Sequence, residues 1–176
     1  MCFCNHVNLI VSILVELYFR EDVALLKAAN RGDVSQVSML LAEGADINAK
    51  SKDGSGALAL AANTGHSSCV SLLLGAGADI NAKNDKEFTA LMLASQYCHL
   101  SCVSMLLEHG ADVNAKMNPN ECIDGGGTAL MLACHYDDSL SCVSMLLDYG
   151  ADIDAKNIYG GYTALMIASI YDKPSC

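Results

Sequence analysis

The chain is short of positive charge. Ten Lys and Arg stand against twenty Asp and Glu, a formal net charge of −10 over 176 residues. Such a surface is repelled by nucleic-acid phosphates and by anionic lipid, which argues against both as partners. A long apolar run is also missing. The nearest candidate, Leu9–Phe19, is interrupted by Ser12 and Glu16 and falls short of a membrane span, which needs roughly 20 apolar residues. No Lys/Arg-rich start precedes it, so it does not read as a secretion signal. The residue patterns of catalysis are absent too. Gly125–Gly127 is followed by no Lys, so there is no phosphate-cradling loop, and no Cys-x-x-Cys or His-x-x-x-His pair occurs. The chain therefore reads as a non-enzyme with no metal or other cofactor.

What is present is a repeated heptapeptide. It reads GADINAK at Gly44–Lys50 and Gly77–Lys83, GADVNAK at Gly110–Lys116 and GADIDAK at Gly150–Lys156. The first three copies start 33 residues apart and the last follows after 40. A fixed period of this length means a repeat architecture. Each copy follows an apolar run (VSMLLAEG, VSLLLGAG, VSMLLEHG, VSMLLDYG), and GALALA, TALMLA, TALMLA and TALMIA open the units at 56, 89, 128 and 163. With 52% hydrophobic residues the core is amply supplied. Three of the nine cysteines, Cys69, Cys102 and Cys142, share one repeat position. Neighbouring helices pack about 8–10 Å apart, whereas disulfide Cα atoms lie within about 7 Å. This row reads as reduced, buried thiols of a cytoplasmic protein, a nuclear location being compatible.

Period, signature and finger together make the chain resemble the ankyrin repeat family from about Asp22 onward. The family unit is a β-turn finger followed by two antiparallel helices, opened by T-P-L-H-x-A. The resemblance implies an all-α solenoid with short hairpin or turn fingers. Here Ala57, Ala90, Ala129 and Ala164 replace the signature Pro, and Ala59, Met92, Met131 and Met166 replace its His. Two glycine positions are lost, at Glu87 and Cys98, where strain or rearrangement of the fingertip and inter-helix turn is expected. Thr89 is a natural N-cap. Residues 1–20 read as an apolar segment, chiefly as a capping helix. The repeats read as about 21–50, 51–83, 84–116 and 117–156, with a truncated fifth at 157–176. The fourth carries an insertion, MNPNECIDGGG, and one more extra residue in YDDSL. The larger insertion reads as a partner-contacting finger or as a tolerated surface loop. The fifth unit lacks its second helix and leaves an apolar end built from Leu165, Ile167 and Ala168, open to array continuation or self-association.

The family uses its concave face for binding. On the resemblance, that face carries Arg31, Thr64, Tyr97, Tyr136 and Tyr171 after the first helices, with Asn63, Gln96 and His135 beside them. The fingertips add Phe88, Tyr159 and Tyr162. Tyrosine gives a large contact with a polar tip and is enriched at interface hot spots. The implied function is an interaction scaffold for a protein partner, with no nucleic acid. Two other readings are a regulatory or targeting segment of a larger enzyme or signalling protein, and membrane attachment through residues 9–19. His66 and His99 read as turn residues, the Asp46, Asp79, Asp112 and Asp152 row as finger turns, and the Lys50, Lys83, Lys116 and Lys156 row as a solvated edge.

Overall fold

The computed structural model describes residues 21–117, 127–136, 140–157 and 160–171. The apolar segment 9–19 and most of the insertion lie outside them. The described residues form nine helices: α1 (21–31), α2 (Val34–Glu43), α3 (Ala57–Asn63), α4 (Ser67–Gly75), α5 (Ala90–Gln96), α6 (Leu100–Glu108), α7 (Ala129–Tyr136), α8 (Leu140–Asp148) and α9 (Ala164–Ile170). Between pairs run turn fingers, one of them closed by an isolated antiparallel bridge between Lys50 and Gly56. First helices lie side by side in the order α3, α5, α7, α9, and second helices in the order α2, α4, α6, α8. The architecture is an all-α repeat solenoid.

Each element ends for a local reason. Thr89, Thr128 and Thr163 accept the amide of the residue three positions on, Met92, Met131 and Met166, and so cap the first helices. Gly44, Gly77, Gly110 and Gly150 end the second helices in the left-handed region. The next amide (Ala45, Ala78, Ala111, Ala151) closes back on Leu40, Leu73, Leu106 and Leu146 at 3.0 Å, satisfying carbonyls that the helix end would orphan. Those leucines, with Leu25, Leu91 and Leu130, are buried. Truncating one to Ala costs about 2–5 kcal/mol in such a core. Val23 of α1 is half-exposed. Ile167 and Ala168, expected on the open apolar end, are buried.

A hydrogen-bond ladder joins the repeats. In each finger the first Asp accepts the amide two residues on: Asp46 from Asn48, Asp79 from Asn81, Asp112 from Asn114 and Asp152 from Asp154. The Asn carboxamide then accepts the next repeat's Asp amide, Asn48 from Asp79, Asn81 from Asp112 and Asn114 from Asp152, at 2.8–3.1 Å. Asp22 plays that part for Asp46 at 2.9 Å. The repeated heptapeptide is thus the connector between fingers as well as a turn.

Candidate functional site

Because the first helices stack in register, their last residues form a row. Thr64, Tyr97 and Tyr171 are the C-caps of α3, α5 and α9, and Tyr136 ends α7. Tyr97 is 54% exposed and Tyr171 43%. The Tyr171 ring lies 4.1 Å from that of His135 in the preceding repeat, and the Tyr97 ring 6.1 Å from His99. Tyr171 therefore packs across a repeat junction and still presents half its surface. Arg31 ends α1 and is exposed; Asn63 and Gln96 are half-buried. The Thr64 hydroxyl is turned back onto the Leu60 and Ala61 carbonyls at 2.9 and 3.3 Å. The Tyr136 side chain and all of Tyr159 lie outside the described residues.

The fingertip part of the expected surface divides. Phe88 is 8% exposed and belongs to the core. It occupies the repeat position of buried Ser55, at the finger base, where the side chain points inward. Its ring offers a partner almost nothing, a correction to its place among the contact residues. Tyr162 holds the same position in the fifth unit, but Asn157–Thr163 is one residue longer than Asn84–Thr89, and Tyr162 is half-exposed.

Residues that read in the sequence as turn or edge residues also join repeats. His99 Nε2 lies 3.1 Å from the Asn63 carbonyl, which fixes a candidate contact residue from behind. Lys50 Nζ donates to the Lys83 carbonyl and Lys83 Nζ to that of Lys116, both at 3.0 Å. Lys83 also pairs with Glu87 at 2.7 Å. The lysine row, expected as a solvated edge, is thus in part a second inter-repeat tie. The recurrence of Lys in all four heptapeptides and of Asn in three of them was the available signal for this. Asp53 accepts from the Ser51 and Ser55 hydroxyls, and these bonds hold its carboxyl below the usual carboxylate range.

Among the described residues little reactive chemistry is exposed. Cys69, Cys102 and Cys142 are fully buried. Burial pushes the Cys102 thiol up to about 11 and, with the Asp33 charge, raises that of Cys69. Thiols so protonated are poor nucleophiles. Among the described residues no cluster of His, Cys, Asp or Glu could hold a metal ion. No described helix is long and apolar enough to cross a membrane. A cleft of about 470 Å³ lies between the second and third fingers, lined among others by Ile47, Gly56, Ala57, Ala59, Ala78 and Ala90. It falls where Gly56 and Ala59 stand in place of the Thr and Met of later repeats.

A helical-repeat solenoid with an exposed row of helix ends is the class that this geometry defines. A family model described as ankyrin repeats (3 copies) matches residues 25–117 and again 115–176. The chain belongs to the ankyrin repeat family. Ankyrin repeats are in general protein–protein interaction modules and typically not enzymes. Among curated proteins the chain has no significant match.

Proposed function

We propose that this chain works as a binding scaffold, gripping a protein partner with the concave side of the array, where the ends of α3, α5, α7 and α9 follow one another. The observation that carries the reading is the exposure of Tyr97 and Tyr171 at one repeat register. A rigid aromatic side chain on a fixed helix end gives contact area at low entropic cost. His135, its ring packed at a tilt against Tyr171, extends that platform, and Arg31, Asn63 and Gln96 supply polar contacts around it. The net charge of −10 favours basic or neutral partner segments and disfavours acidic ones. The buried thiols suit a reducing compartment, which supports a cytoplasmic or nuclear site of action.

The test is affinity capture from a native lysate with the unaltered chain and with a Tyr97→Ala, Tyr171→Ala variant whose helicity is checked by circular dichroism. Hot-spot tyrosines cost about 2 kcal/mol each when truncated. A groove partner is then lost from the variant and retained by the parent. Equal recovery of all captured proteins by both would remove the tyrosine row from the site and leave the 117–127 insertion as the place to look.

A further inference from the structure

We infer that the cleft between the second and third fingers is a subsite for one unbranched apolar side chain, of methionine length, presented by a segment of the protein partner. The inference rests on the reading that the chain binds a protein, but not on the tyrosine row. The floor of the cleft is apolar: Ala57, Leu58, Ala59 and Ala90 line it and are buried. Its rim carries Asn48, Lys50 and Asn81, which are exposed. The volume, about 470 Å³, lies within the range of small-ligand pockets, roughly 300–1,000 Å³. A side chain fits, together with part of the backbone that delivers it.

Two small residues open the cleft, and the backbone imposes neither. Gly56 stands at φ −83°, ψ 170°, close to the φ −91°, ψ 165° of Thr89 one repeat later. A Cβ on Gly56 would meet nothing nearer than the Ala49 carbonyl oxygen at 3.8 Å. Ala59 holds the position at which Met92 and Met131 are buried in α5 and α7. The Met131 sulfur lies 3.6 Å from where a Cβ on Gly127 would stand, and the Met117 methyl 3.8 Å from the same point. A Met at this register therefore runs back to the base of its own finger. The array itself shows what fits there, a flexible thioether that adapts to irregular space. The second repeat lacks that side chain, and α3 lacks the side-chain cap that Thr89 gives α5. Packing and a cap are forgone where the cleft is open, as in sites kept for binding at the expense of stability.

The rim favours a side chain on a partner over a free polar molecule. The Asn48 and Asn81 carboxamide oxygens already accept the Asp79 and Asp112 amides. Lys50 Nζ and Lys83 Nζ already donate to the Lys83 and Lys116 carbonyls. A free ligand is ordinarily oriented by a few convergent polar groups, whereas a partner segment is oriented by its contacts elsewhere. Selection in the cleft then rests on length and apolar character.

The test is alanine-methyl NMR of the whole chain, titrated with three probes: N-acetyl-methioninamide, N-acetyl-glutaminamide of similar length, and an acetylated Gly-Ser-Met-Ser-Gly pentapeptide. The methionine probe should shift the Ala57, Ala59 and Ala90 methyls and saturate with a Kd of about 1–10 mM. The glutamine probe should bind about tenfold more weakly or not at all, and the pentapeptide at least as well as the methionine probe. Ala59→Met, which places the chain's own thioether at this register, should abolish the Ala57 and Ala90 shifts while circular dichroism stays that of the parent. Gly56→Thr narrows the cleft at a backbone conformation that threonine already adopts at Thr89, and should weaken binding severalfold. A Tyr97→Ala, Tyr171→Ala chain should bind the probes as the parent does, which separates the fate of this subsite from that of the tyrosine row. No saturating shift up to about 50 mM, an equal response to the glutamine probe, or unchanged binding by both cleft variants would each overturn the proposal. So would loss of binding when Met is carried in the pentapeptide, which would make the cleft a site for a free small molecule.

Discussion

The turn after α3 and the turn after α5 occupy the same repeat position and are both left-handed. Gly65 stands at φ 76° in one, Cys98 at φ 50° in the other. The difference lies in the next repeat. A Cβ on Gly65 would come within 2.7 Å of His99 Nδ1, and one on Gly32 within 2.6 Å of His66 Nδ1. Cys98 is followed one repeat later by YDDSL, which has no His at its turn and one residue more. The fingertips repeat the lesson. A Cβ on Gly54 would lie 2.8 Å from the Asp85 backbone nitrogen of the next finger. Its equivalent Glu87 (φ 65°) precedes the finger that carries the long insertion. Both lost glycines thus sit in the third repeat, and in the sequence of the fourth repeat both the finger and the turn that follow are longer. The repeat sets the left-handed backbone, and the approach of the neighbour makes glycine obligatory there.

The largest effect should follow from breaking the glycine that serves both purposes. Gly65→Ala adds left-handed strain and drives a methyl into His99. It should destabilise by about 2–3 kcal/mol in urea unfolding. His99→Ala should remove part of that cost, giving a coupling of at least about 0.5 kcal/mol in a double-mutant cycle. If the two substitutions simply add, the close approach is not what holds glycine at 65.

Cys98→Gly reverses the comparison. It relieves the left-handed strain of a residue with a Cβ, at about 1–2 kcal/mol, and adds unfolded-chain entropy of about 0.5–1 kcal/mol. The net expectation is a stabilisation of about 0.5–1 kcal/mol, read as a rise in the urea midpoint at constant slope. A loss of stability would mean that the half-buried Cys98 side chain contributes more packing than its backbone costs.

Much of this fold could be read directly from the chain. The period, the heptapeptide and the apolar runs place every helix, because 3.6-residue periodicity and helix-ending glycines are local signals. Strain at Glu87 and Cys98 was legible for the same reason, as a register with its glycine missing. Side-chain direction at irregular backbone was not. Phe88 shares its position with Ser55 and Tyr162, yet the first two are buried and the third is half-exposed, because finger length differs. The Asn and Lys ladders were likewise hidden, since they depend on how far one finger lies from the next. Ile167 and Ala168 were placed on the open end because alternate residues of a seven-residue helix cannot be assigned to a face until its neighbour is known.

The two fingertips should also part company in acid. In finger two, Asp53 organises the turn through Ser51 and Ser55. In finger three, Asn84 does so, accepting the Lys86 and Phe88 amides at 3.1 and 2.9 Å. The Asp53 carboxyl is depressed in the fold, first by the Ser51 hydroxyl and then by that of Ser55. The unfolded group titrates near about 3.9, so its stabilisation is present above that pH and is lost as pH falls through the lower folded value. The Asn84 carboxamide does not titrate. The Ser51 and Ser55 resonances should move as pH falls below about 4 and their bonds to Asp53 are lost, while the Lys86 and Phe88 amides keep their protection from exchange, because their acceptor, Asn84, does not titrate. Asp53→Asn should abolish the difference.

The smallest effect is expected at Glu87, where two terms oppose each other. Glu87→Gly removes left-handed strain, as at Cys98, and so stabilises. It also deletes the Lys83–Glu87 pair, whose side chains are 37% and 48% exposed. An exposed pair of this kind contributes about 0–1 kcal/mol, and the added glycine entropy offsets about 0.5–1 kcal/mol more. The sum should lie within about 0.5 kcal/mol of zero. Salt separates the terms, because the ion pair is screened and the backbone is not. The variant should therefore gain on the parent between about 0.05 and about 1 M salt, from level or slightly weaker to slightly more stable. Glu87→Asn, which tolerates the left-handed region without the glycine entropy, should be the more stable of the two. If Glu87→Gly instead destabilises strongly at every salt concentration, then the Glu87 side chain, and not the neighbouring finger, decides which residue stands at this fingertip.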